Sequence, residues 1–232
     1  MTKNKLFASP FRALRSSQFR VYSIGIFISL MGTFLQLQVL RTLGYEVTQT
    51  ASFVGLIAAC TAIPGMVFFI PGNIVASLYE RRQILIVSAI LTSLAPGWLS
   101  YLAATGQLTP TSLVVASLWL GCIIPFENPA RYPLIANTVE PTNIGNAFAF
   151  SQWLVYLSKA AGPILGAAAL AAWGAAPCFA INAASYGAEI VSLCFLKDCV
   201  PRTKLNVLAF FDLRRFTKVS TVCISAVPKA CS

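Results

Sequence analysis

Asn182, Ser185, Tyr186 and Glu189 recur at i, i+3, i+4 and i+7 within one apolar stretch, so a helix there puts all four on one face. A carboxylate, a carboxamide and two hydroxyls on one stripe can take up a proton, hydrogen-bond a solute or hold a partner helix. Such a face must look at a polar cavity or at a neighbouring helix. In the preceding stretch Gln152, Tyr156 and Lys159 keep the same spacing and run on into Gly162, Pro163 and Gly166. Lys159 and Glu189 are therefore expected to compensate each other between adjacent helices, either lining or gating a pathway or serving as a structural ion pair that offsets two buried charges. Ser29, Thr33 and Gln36 form a third stripe, with Gln38 and Arg41 beyond it. A polar stripe ending in a cation can receive an anionic or hydrogen-bonding solute; alternatively Arg41 snorkels to the interface. Glu127 and Arg131 stand at i and i+4. That spacing makes an ion pair if the helix continues through Pro129, and none if Pro129 marks a helix end.

The chain has no histidine, which removes imidazole proton shuttles, histidine-based metal sites and Ser/His or Cys/His nucleophile pairs. Neither an enzyme nor a bound cofactor or metal is expected. The seven cysteines (Cys60, Cys122, Cys178, Cys194, Cys199, Cys223, Cys231) contain no C-x-x-C pair, and four lie inside apolar runs. They read as small apolar residues, not as a disulfide frame.

The elements that must position these groups follow from composition. Of 232 residues 57% are hydrophobic and 10% charged, and the mean hydropathy is +0.73. Too few charges remain to cover a water-soluble globule. Runs long enough to cross about 30 Å of hydrocarbon cover residues 21–40, 51–70, 84–104, 108–126, 147–173 and 178–196. The first is too long for a signal-peptide core and no small-residue cleavage site follows it, so it reads as a retained span. The resulting division is a basic N-terminus (1–20), a six-helix transmembrane domain (21–197) and a basic tail (198–232), the tail being either a short amphipathic helix or a disordered end. Of the 17 Lys and Arg, all but Arg41 and Lys159 fall on one side of the alternating spans. The positive-inside rule then puts both termini in the cytoplasm. Because the net charge of +10 sits in these flanks, lipid is the expected partner and nucleic acid is not. Glu80-Arg81-Arg82 reads as a topology signal. Five residues, 173–177, join the last two spans, which makes them a packed antiparallel pair with Gly162, Gly166, Ala167, Ala168, Ala169 and Ala172 at the contact. Pro64-Gly65 and Gly162-Pro163 interrupt the second and fifth spans, as an inverted repeat of two three-helix units would arrange them.

Ser9-Pro10-Phe11-Arg12-Ala13-Leu14-Arg15, leading into Ser29-Leu30-Met31-Gly32-Thr33-Phe34-Leu35-Gln36, resembles the opening of major facilitator superfamily exporters. Glu127-Asn128-Pro129-Ala130-Arg131 is similar to the acidic-x-Pro-Ala-Arg signature of their transmembrane secretion effector branch, which includes the enterobactin exporter. Asn146, Lys159, Gly162, Pro163, Leu165 and Gly166 resemble its fifth helix, and Phe179, Asn182, Ala183, Ser185 and Tyr186 its sixth. The matches run in order over residues 9–197. Between the second and third helices Gly72, Arg81 and Arg82 remain of the usual gating motif, with Ala76 and Ser77 in place of its Asp and Arg. In the fifth helix Lys159 replaces an Arg and Ala167 a Gly. The resemblance implies a proton-coupled exporter of small molecules in a bacterial inner membrane, with twelve helices in two rocking halves. This chain supplies the first half. It is then expected to be a truncated product or a half-transporter paired with a second six-helix half or a second copy. The alternative is a non-transporting six-span protein that pairs with or regulates a full transporter.

Overall fold

The computed structural model describes residues 10–196, in which a 3-10 turn at Pro10–Arg15 precedes six α-helices. They are α1 (Ser17–Thr48), α2 (Ala51–Leu78), α3 (Arg81–Ala104), α4 (Pro110–Asn137), α5 (Ile144–Trp173) and α6 (Ala175–Cys194), with a second 3-10 turn at Pro141–Asn143. The expected amphipathic or disordered tail, the first nine residues and Cys199, Cys223 and Cys231 lie outside the described residues.

Local chemistry sets the helix ends. Ser16 caps α1 by accepting the Phe19 amide at 3.4 Å, and its hydroxyl donates to the Thr138 carbonyl at 2.6 Å. Thr109 and Ser112 form a reciprocal capping box at the start of α4, with Pro110 in its first turn. Gly174 joins α5 to α6 at φ 80, a backbone region costly for any residue with a Cβ. Several helices outrun their expected spans: α1 runs on to Thr48, α2 passes Pro71, and α4 passes Pro129 and Pro133 before ending at Asn137. A proline inside a packed helix does not stop it when neighbouring groups take up the freed backbone. The first five helices are long and apolar enough to cross a membrane. The 20 residues of α6 match a span in length, but their polar face makes α6 less apolar than the others.

Helix α1 packs on α6, α6 on α3 and α3 on α4, while α5 lies against α1 and α2 against α4. The expected packing of α5 on α6 is not found: the two diverge from their short turn and touch little. Gly162 and Gly166 instead lie against α1. A Cβ added at Gly162 would stand 2.5 Å from Phe34 Cβ, and one at Gly166 would stand 2.7 Å from the Leu35 carbonyl oxygen. On the other side, Gly121 of α4 meets the Cys60 and Thr61 carbonyls of α2, and Gly72 of α2 meets the Pro125 carbonyl of α4. The Cys60 and Pro125 carbonyls are the ones that Pro64 and Pro129, lacking an N–H, leave without their usual i+4 donor. Each freed oxygen faces a glycine Cα of the neighbouring helix, the geometry of a Cα–H···O contact.

The core has two apolar layers. Phe19, Tyr22, Leu85, Leu134, Phe150 and Leu193 belong to one layer, and Val39, Ile57, Leu99, Leu113, Cys178 and Phe179 to the other. Between them α1, α3, α4 and α6 contribute a polar belt.

Candidate functional site

The belt is built by helical spacing. Gly25 and Gly32, two turns apart on α1, let α6 come close enough that an added Cβ at Gly25 would meet Ser192 and one at Gly32 would meet Asn182 and Ser185. The polar face of α6 thereby falls against the Ser29, Thr33 and Gln36 stripe of α1, so the expected polar stripe finds a partner helix. Asn182 donates from Nδ2 to Gln36 Oε1, and both residues are buried. The Ser185 hydroxyl donates to the Asn182 carbonyl at 2.8 Å. Thr33 gives its proton to the Ser29 carbonyl at 2.9 Å, leaving Tyr186 to donate to Thr33 Oγ1 at 3.0 Å.

Charge is concentrated one to two turns further along α6. Glu189 accepts the Ser29 hydroxyl at Oε2, 2.6 Å, and the Arg131 guanidinium at Oε1, 3.1 Å. The same Arg131 Nη2 reaches Glu127 Oε2 at 3.1 Å, and Glu127 Oε1 accepts from Thr92 at 3.3 Å. Ser29 of α1, Thr92 of α3, Glu127 and Arg131 of α4 and Glu189 of α6 thus converge on one centre. The Glu189 side chain keeps only 4% of its surface, and those of Arg131 and Glu127 keep 14% and 15%. With both carboxylates ionised the centre carries one net negative charge; with one protonated it is neutral. Arg131 Nε and Tyr22 Oη are buried beside it without a partner among the described residues. These unused donors leave the centre room to change its hydrogen bonding.

One expectation is corrected here and one open choice is decided. Lys159 does not compensate Glu189, whose cation is Arg131. Because α5 packs on α1 rather than on α6, Lys159 is exposed and lies over the Phe34 and Tyr156 rings, 5.9 and 5.5 Å from their centroids. Pro129 does not end its helix, so the Glu127–Arg131 pair forms.

Gln152 is half-buried and its amide donates to Tyr132 Oη at 3.3 Å, while Arg41 is exposed toward the far end of α1. Arg81 opens α3, and Arg82 does more than mark topology: its Nη2 donates to the Cys194 carbonyl at 2.9 Å, tying α3 to the end of α6. Periodicity alone does not reveal Thr92 or Tyr22 as neighbours of the centre. The rule that a buried carboxylate requires a cation asks for one beside Glu189 but does not choose between Lys159 and Arg131.

Residues 8–231 match the family model described as transmembrane secretion effector. No curated protein matches the chain.

Proposed function

This chain belongs to the transmembrane secretion effector family of membrane transporters, and we propose that it exports small molecules across a bacterial inner membrane in exchange for protons. The observation that carries this reading is one buried guanidinium shared by two carboxylates at the meeting point of four helices. The Glu127 pair lies within α4, whereas the Glu189 pair ties α4 to α6 and, through Ser29, to α1. A proton on Glu189 releases the link between helices and leaves Arg131 on Glu127, its neighbour one turn back. Proton occupancy is thereby coupled to whether α4 is held to α6, the kind of two-state element that alternating access requires.

Two further features support the transporter reading. Exchanging α1 with α4, α2 with α5 and α3 with α6 maps the observed packing onto itself, α5 on α1 corresponding to α2 on α4 and α6 on α1 to α3 on α4. This correspondence supports reading the six helices as an inverted three-plus-three repeat. Apolar side chains of α2 such as Ile63, Met66 and Ile70 are exposed, and a second six-helix unit seated along α2 and α5 would enclose a cavity. The basic residues at the chain ends and at Arg81 and Arg82 support an orientation with both termini in the cytoplasm.

Efflux of a panel of dyes and antibiotics from cells producing the chain tests the proposal. At least one compound is expected to be extruded in a protonophore-sensitive way, with extrusion lost about tenfold or more in Glu189→Gln. If no compound moves, and the chain co-purifies with a transporter whose activity needs it, the non-transporting partner reading replaces export.

A further inference from the structure

Lys159 sits at the middle of the 30-residue α5, about 20 Å of helix from either end at ~1.5 Å per residue. A lysine stem near the midplane of a span cannot carry its ammonium to the interface, and an exposed cation facing hydrocarbon is unfavourable. The side chain is nevertheless exposed and pairs with no carboxylate among the described residues. Its surroundings are aromatic: Phe34 of α1 and Tyr156 of α5 lie beneath the ammonium, and Tyr156 and Trp153 are themselves 65% and 52% exposed. One turn or two along the same face Gln152 hydrogen-bonds Tyr132 of α4.

We propose that Lys159, Tyr156, Phe34 and Gln152 form a binding subsite for a small aromatic anion, whose carboxylate or sulfonate meets the ammonium while its ring lies on Tyr156. This rests on the reading of the chain as a transporter and assigns the class of solute it takes. The chemistry follows from what the surface lacks. A cation held over ring faces needs an anion to complete it, and flat exposed rings favour a flat apolar body over a hydrated inorganic ion. Lipid headgroups carry the same anionic chemistry, but they do not reach the middle of a span.

The test uses the full chain in zwitterionic lipid nanodiscs with Trp98, Trp119 and Trp173 changed to Phe, so that Trp153 alone reports. Titration with 4-nitrobenzoate is expected to quench its fluorescence saturably. Affinity should fall about tenfold or more in Lys159→Gln, be largely retained in Lys159→Arg and fall several-fold in Tyr156→Ala. The uncharged 4-nitrobenzamide should bind weakly and equally to the Lys159→Gln variant and its parent. Equal nitrobenzoate affinity in Lys159→Gln, or a 4-nitrobenzyl-trimethylammonium probe binding as tightly as the anion, overturns the proposal. So does competition by added phosphatidylglycerol, which would make the ligand a lipid. Because Lys159 and Tyr156 are exposed, both variants should keep the helical content of the parent by circular dichroism. Saturable, Lys159-dependent binding by a chain that moves no solute would overturn export and leave the subsite. Proton-driven export indifferent to Lys159→Gln would do the reverse.

Discussion

At the scale of single residues, Arg131 is the group on which the buried centre depends, since one guanidinium answers two carboxylates. Arg131→Met leaves Glu127 and Glu189 facing each other with no cation and is expected to cost about 3–5 kcal/mol, the range for breaking a buried pair. Glu127→Gln leaves the Arg131–Glu189 link and is expected to cost only about 1–2 kcal/mol. Unfolding of the purified chain in mixed micelles, followed by circular dichroism, measures both; equal costs would mean that the centre is not organised around the arginine. The carboxylate of this centre was readable from the sequence because Asn182, Ser185, Tyr186 and Glu189 follow the period of one helix. Its cation was not. The choice between Lys159 and Arg131 depends on which helices adjoin α6, and Arg131 lies 58 residues from Glu189 in the chain.

At the scale of elements, glycine positions decide which helices touch. A Cβ at Gly121 would stand 2.6 Å from the Thr61 carbonyl, backbone that has no rotamer to move aside, so Gly121→Ala should destabilise by about 1–3 kcal/mol as overpacking does. Gly65, also inside a helix but with nothing within 4 Å, should accept alanine with no loss and up to about 1 kcal/mol of gain. The same unfolding measurement separates the two, and a similar response at both sites would refute the close α2–α4 approach. The small residues of α5 were legible as a contact surface, but their partner was not: a short turn fixes where α6 begins and says nothing of where it goes. The sequence does not decide the effect of Pro129 in α4 for a related reason. The rule that a proline ends a helix describes a chain with only itself to satisfy its carbonyls, and here Gly72 of α2 comes up against the carbonyl that Pro129 frees.

At the scale of the whole molecule, the helices follow from a one-dimensional property, which is why they were read most fully from the sequence. Apolar run length gives the helices, and the local excess of Lys and Arg predicts the side. The helices alternate in direction, so the turns at Gly106 and Gly174 lie at one end of the bundle while the start of α1, Tyr79 and Thr138 lie at the other. Arg15, Arg20, Arg81 and Arg82 belong to the second end. Alkaline phosphatase fused after Gly106 or Gly174 should therefore be active, because the enzyme folds only outside the cytoplasm. Fused after Tyr79 or Thr138 it should be inactive, while green fluorescent protein at those positions should fluoresce. The fusion after Gly174 is the most informative of the four. It is exported only if α5, with Lys159 at its middle, crosses the membrane. A cytoplasmic signal there would mean that the chain turns back before crossing, taking Lys159 away from the midplane. The aromatic-anion subsite would then lose its reason for existing while the Arg131 centre, built from α1, α3, α4 and α6 alone, would stand.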